Sequence, residues 1–150
     1  MVGEVGDGHS VLTDGASMRV DVLSHLEEVA SVRRAVATFL LDRGVSSVLV
    51  DDVRLVTSEL VTNAILHGYA GLISVELELD DEICLRVTNN GPMAALPPVA
   101  HWRRAEPTAA AGRGLGIVLR LSDHVVVNGD ADHTTVTVRH RLPSADEVLS

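Results

Sequence analysis

Two periodicities divide this chain. Apolar residues recur at every second position in "SMRVDVL" (17–23), "LISVELEL" (72–79), "ICLRVTN" (83–89) and "TTVTVRHRL" (134–142), the pattern of strands with one buried face. In "HLEEVASVRRAVATFLLDRG" (25–44) the spacing changes to three and four residues. Leu26, Val29, Val32, Val36, Phe39 and Leu40 then share one helical face. Ser24 and Glu27 have the S-x-x-E spacing of a capping box at its start, and Gly44 is a natural stop. A second helix is predicted from about Val48 to His67, opened by Ser46 or Ser47 and ended by Gly68. Asp80-Asp81-Glu82 turns 72–79 back into 83–89 as a hairpin. "HVVVNG" (124–129) and 134–142 form another around Gly129-Asp130.

Between these elements lies a stretch with Pro92, Pro97, Pro98 and Pro107, for which little regular structure is expected beyond a short turn in "VAHWRRA". A connection of that length inside a domain serves as a functional lid or is disordered. "GRGLG" (112–116) follows and leads into a short helix, "IVLRLS" (117–122). The order β-α-α-β-β-lid-α-β-β predicts an α+β fold, a mostly antiparallel mixed sheet with helices on one face. The expected organisation is a loose polar tail over 1–16, a domain over 17–142 with a lid at about 92–111, and a tail over 143–150.

Composition narrows the function. With 46% hydrophobic and 22% charged residues, the 150-residue chain is globular, and at 2% aromatics its core must be aliphatic. A formal net charge of −9 speaks against nucleic acid and anionic membranes as partners. All 12 basic residues are Arg, which excludes lysine Schiff bases and lysine-containing phosphate loops. Cys84 is the single cysteine and sits in an apolar run, as a core residue would; a reducing cytoplasm is the expected setting. No signal-peptide pattern or membrane-length apolar run is visible.

Three places can carry chemistry. Glu59, Asn63 and His67 are spaced four apart and form a polar stripe on an otherwise apolar helix. A solvated face would give the same spacing. A buried Glu beside a phosphate can instead orient or deprotonate a nucleophile, an Asn oxygen can ligate Mg2+, and a His can touch phosphate. "VTNNGP" (87–92) is either a plain turn or a strand end where Asn89 reads a ligand edge and Gly91 lets the ligand approach. In "GRGLG", Gly112, Gly114 and Gly116 with Leu115 stand at a helix start. Backbone N–H groups there favour an anion, and Arg113 can add a charged contact. The spacing is not that of a dinucleotide-binding fingerprint.

Taken in order, "SELVTNAILHG", "LRVTNNG", the Pro/Ala-rich stretch, "GRGLGI" and "HTTVTV" resemble the nucleotide-binding boxes of the GHKL (histidine-kinase-like) ATPase superfamily. The first box is most similar to that of bacterial anti-sigma factor serine kinases. The resemblance spans roughly residues 18–141 and implies the Bergerat fold, a two-layer α/β sandwich. It also implies Glu59 as catalytic base, Asn63 as Mg2+ ligand, and His67 and Gly68 as the ending of the anti-sigma branch. Gly112, Gly114 and Gly116 would hold phosphates, and Thr135 would lie near the adenine. The family usually has Asp where this chain has Asn89, an uncharged acceptor whose NH2 needs its own partner. The glycine expected before the late threonine is missing.

The resemblance thus implies an ATP- and Mg2+-dependent anti-sigma factor. It would sequester a sigma factor, phosphorylate a serine on an anti-sigma factor antagonist, and act as a homodimer. A non-catalytic sequestering protein on the same fold is the alternative, favoured by Asn89. A detached histidine-kinase domain fits less well, because no helical hairpin precedes His25. Trp102 is either a partner anchor or a residue packed over the lid.

Overall fold

A computed structural model describes residues 2–4, 9–92 and 110–143. Its element order is β1 (Val2–Glu4), β2 (His9–Asp14), β3 (Ser17–Leu23), a 3-10 turn (Leu26–Glu28), α1 (Val29–Asp42), α2 (Ser47–His67), β4 (Leu72–Leu79), β5 (Glu82–Asn90), α3 (Ala110–Leu121), β6 (His124–Gly129) and β7 (His133–Arg141). The strands form one sheet in the order β1-β2-β3-β4-β5-β7-β6. Each described pairing is antiparallel, in keeping with the mostly antiparallel sheet expected from the sequence. The fold is α+β.

The described part of the N-terminal stretch is not a loose tail. His9–Asp14 pairs residue for residue with β3, from His9↔Val22 to Asp14↔Ser17, across a turn at Gly15, whose φ is +32°. Its polar residues hid it, because they break the apolar alternation by which a strand is read from sequence.

Alternation sorts the strand residues as expected. Met18, Val20, Val22, Ile73, Val75, Leu77, Ile83, Leu85, Val87, Val136 and Val138 are buried beneath the helices. On the other face Arg86 pairs with Glu78 at 3.3 Å, Arg139 pairs with Glu82, and the Thr88 and Thr135 hydroxyls share a hydrogen bond of 2.8 Å. Cys84 is buried. α1 packs on β3, α2 packs on β4 and β5, and α3 packs along α2.

The helix ends show where local signals acted. Ser46 caps α2, its hydroxyl accepting from the Leu49 N–H at 3.4 Å. The Ser24–Glu27 capping box does not form. The chain enters α1 through the 3-10 turn with His25 at its N-cap, while the Ser24 N–H is drawn to Gly71 O at 3.0 Å. Gly44 ends α1 with φ +81°, the left-handed conformation that favours glycine. Gly68 ends α2 in extended conformation, so its reason for being glycine lies elsewhere.

Candidate functional site

The polar stripe of α2 is graded along the helix. Glu59 is half-buried, Asn63 is 6% exposed, and His67 is exposed at the last turn. Burial at Asn63 requires hydrogen bonding, and its Nδ2 donates to Glu59 O at 3.0 Å. The side-chain oxygen remains as an acceptor of the hard kind that Mg2+ prefers. Among the described residues no group of three His, Cys, Asp or Glu side chains is placed to hold a metal. A magnesium ion would therefore need ligand phosphates and water besides Asn63, its usual mode in nucleotide sites.

Beyond α2 the chain is tied to the end of β5. The Tyr69 N–H and the Asn89 Nδ2 both donate to Asn90 O, at 2.7 and 2.9 Å, and Asn90 Nδ2 reaches Ala70 O at 3.3 Å. Gly68 sits inside this knot. A Cβ there would overlap Asn89 Nδ2 and lie 2.5 Å from Ala64 O, so close approach, not backbone conformation, demands glycine. Gly91 has φ +137°, donates to Asp132 O at 2.8 Å, and accepts from the Thr134 hydroxyl at 2.8 Å.

Thr134 is thus the threonine on the site side. It is 2% exposed and shares its face with Val136 and Val138. Thr135, the residue matched from the sequence, points to the opposite face and bonds Thr88. The correction follows from strand parity: a shift of one residue changes the face.

The glycine-rich segment also differs from expectation. Gly112, Arg113, Gly114, Leu115 and Gly116 all lie inside α3, which begins at Ala110 and does not wait for Ile117. In an α-helix the Gly114 and Gly116 amides bond carbonyls four residues back, so as placed they are not free for an anion. Gly114 has another role. A Cβ there would overlap Glu59 Oε2 and come within 3.7 Å of Asn63 Nδ2, so its lack of a side chain lets α3 lie on the polar stripe. Leu115 is fully buried. The expected lid, about 92–111 with Trp102, lies outside the described residues over 93–109.

These parts enclose one cavity, lined by Asn63, His67, Gly68, Asn89, Leu115 and Thr134 over an apolar floor of Leu60, Ala64, Val87 and Val136, with Pro92 at its edge. Sequence reasoning named five of its lining residues and missed Thr134 and the floor, although alternation from Val87 and Val138 marks that face. The cavity measures about 20 Å³. That is room for a water molecule, whereas ligand sites run to roughly 300–1,000 Å³. The donor set suits a nucleotide with Mg2+. The space as enclosed does not.

Residues 22–140 match the family model described as "Histidine kinase-like ATPase domain". The chain belongs to this family. Membership implies nucleotide binding. Curated relatives include the Anti-sigma F factor of Clostridium botulinum (strain Alaska E43 / Type E3), 28% identical over 141 residues, covering 89% of this chain and 96% of that protein. Another is the Anti-sigma F factor of Pasteuria penetrans, 30% identical over 137 residues, covering 79% and 85%. Among solved structures, that of the RsbU and RsbW domains of Rv1364c from Mycobacterium tuberculosis superposes with a TM-score of 0.66 at 22% identity. It covers 87% of this ATPase-family chain and 33% of that one, so this chain spans about a third of that protein. The SiaB-SiaC complex from Pseudomonas aeruginosa superposes with a TM-score of 0.58 at 13% identity, covering 86% and 89%. At these identities the two structures show the fold alone. No helix among the described residues is long and apolar enough to cross a membrane.

Proposed function

We propose that this chain is an ATP-binding anti-sigma factor with serine-protein kinase activity. The observation that carries the reading is the meeting of Glu59 and Asn63 with Gly114 of α3, beside a cavity that both Asn63 and Asn89 line. The match over 89% and 79% of the chain to proteins named Anti-sigma F factor supports the choice of partner. ATP would lie with its base at Asn89 and Thr134, and its phosphates between Asn63, His67 and the start of α3. Bound Mg2+, held through Asn63, would neutralise phosphate charge.

The reaction is transfer of the γ-phosphoryl group to a serine of an anti-sigma factor antagonist. The serine oxygen forms a bond to the γ-phosphorus, the bond to the β-γ bridging oxygen breaks, and ADP leaves. Glu59 takes the serine proton. Such transfer depends mainly on positioning and charge neutralisation. Gly91, Gly112, Arg113, Leu115 and Gly116 belong to the same proposed site, as backbone approach and cover. A cytoplasmic homodimer that binds a sigma factor in one state and the antagonist in another completes the reading.

The test combines calorimetric titration with ATP, with and without Mg2+, and a transfer assay to an antagonist protein. Binding that needs Mg2+, and Glu59→Ala that still binds ATP but transfers no phosphate, are the expected results. Equal transfer by the variant would remove Glu59 from the mechanism. A second reading, a protein that sequesters its partner without catalysis, is favoured by the uncharged Asn89 and by the cavity of about 20 Å³. Lack of binding by any nucleotide would select it.

A further inference from the structure

The sheet is wider than the helix that covers its β3 side. On β2, Val11 and Thr13 stand opposite Val20 and Met18 and share their inner face. Val20 and Met18 are buried, and α1 packs on their strand. Val11 and Thr13, one strand further out, are only half-buried. Between them and the outer side of α1 lies a cavity of about 390 Å³. That falls within the roughly 300–1,000 Å³ of small-molecule sites. At about 30 Å³ for each water of liquid volume, it has room for about a dozen non-hydrogen atoms. Val11, Ala35 and Phe39 supply its apolar surface, and Ser31, Thr38 and Asp42 its polar wall.

Two guanidinium groups also line this cavity, those of Arg34 and Arg43. Arg43 is fixed. Its guanidinium lies 3.6 Å from the centroid of the Phe39 ring, its Nη1 donates to Phe39 O at 3.0 Å, and its Nε donates to Gly15 O. These partners are neutral, and Nη2 donates to nothing among the described residues. Arg34 is exposed and has no partner among them. Elsewhere Arg19, Arg54, Arg86 and Arg139 each meet a carboxylate. Asp42 lines the same cavity, yet among the described residues it forms an ion pair with neither arginine. Two cations without counter-charges beside an apolar surface favour an anion that carries an apolar body. The net charge of −9 around them disfavours a polyanion.

We propose that this cavity binds a small amphiphilic anion, one carboxylate or phosphate group on an apolar body. Arg43, preorganised by Phe39 and Gly15 O, receives the anionic group on its free edge. Arg34 adds the second charge, and the body lies on Val11 and Ala35. The site shares no lining residue with the cavity at Asn63 and Asn89, so it stands apart from the nucleotide reading.

The test is calorimetric titration of the full chain at low salt with octanoate and octyl phosphate. Octanol and inorganic phosphate serve as the body and the head group alone. At least one amphiphilic anion should bind about tenfold or more tightly than either control, the scale of one charge-assisted hydrogen bond. The tighter of the two names the head group. Arg34→Ala, at an exposed position without a partner, should melt like the unaltered protein and bind that anion about tenfold more weakly. Thr38→Trp, which fills the cavity from its exposed wall, should abolish binding. Octanol binding as tightly as the anions, unchanged affinity in both variants, or no binding of either anion would overturn the proposal. So would sedimentation that finds the unaltered protein dimeric and either variant monomeric, because a second copy would then cover the cavity.

Discussion

At the scale of single residues, two adjacent threonines separate site from scaffold. The Thr134 hydroxyl donates to Gly91 O at 2.8 Å inside the cavity wall, while Thr135 meets Thr88 across the outer face. Replacing Thr134 with Val keeps the shape but leaves the Gly91 carbonyl without its donor in a buried place. The cost is about 1–3 kcal/mol in stability, together with weaker nucleotide binding. Thr135→Val loses a half-exposed hydroxyl pair, and its effect should stay below about 1 kcal/mol with binding unchanged. Thermal melts and ATP titration of the two variants check this, and the reverse order would return Thr135 to the site. Gly114 makes a similar point. A Cβ there would overlap the Glu59 carboxylate, so Gly114→Ala should lower phosphotransfer by about tenfold or more, because misplacing a reacting group is costly. Transfer at the unaltered rate would show that Glu59 works in a position away from α3.

At the scale of elements, α3 contributes Leu115 to the cavity lining and bears on how much room a ligand has. Its start carries Gly112, Gly114 and Gly116, and glycine is disfavoured in a helix by about 1 kcal/mol relative to alanine. A first half so weakly held is suited to give up helical hydrogen bonds, and the same amides are what an anion needs. Gly116→Ala stiffens the helix and should weaken ATP binding about fivefold, the equivalent of that propensity difference. Calorimetry reads this directly, and unchanged or tighter binding would mean that α3 does not open at that end. α3 also shows the limit of the sequence. The strands were legible because period-two alternation survives in short segments, and α2 was legible because Ser46 and Gly68 bound a long apolar pattern. The glycines of α3 read as loop because local propensity says so, yet packing of Leu115 and Val118 into the core overrides it. β2 was missed for the opposite reason, since its pairing with β3 is a long ladder that its own polar residues do not announce. In the site, the stripe of Glu59, Asn63 and His67 could be read from spacing alone. The Asn90 knot around Gly68 could not, because it joins residues separated by a whole hairpin.

At the scale of the whole molecule, one buried group links folding to pH. His140 is 1% exposed on the inner face of β7. Its Nδ1 lies 3.1 Å from Leu121 O, and its Nε2 is buried without a partner among the described residues. Burial pushes its pKa below the usual 6.5. The Leu121 carbonyl and the carboxylates of Asp123 and Asp52 oppose that shift without reversing it. The folded protein therefore holds this imidazole neutral, while the unfolded chain takes up a proton near pH 6.5. With more protons bound in the unfolded state, stability rises with pH. The contribution is fully present above about pH 6.5, the unfolded value, and is lost progressively as pH falls toward the lower folded value. Chemical denaturation at pH values from about 8 down to 5 should show that decline for the unaltered protein. His140→Leu, which removes the titrating group from an apolar setting, should flatten the part of the decline that belongs to it. The difference between the two curves isolates His140 from the carboxylates, which titrate in both proteins. Parallel curves across that range would show that His140 takes up its proton at the same pH folded and unfolded, against the burial argument.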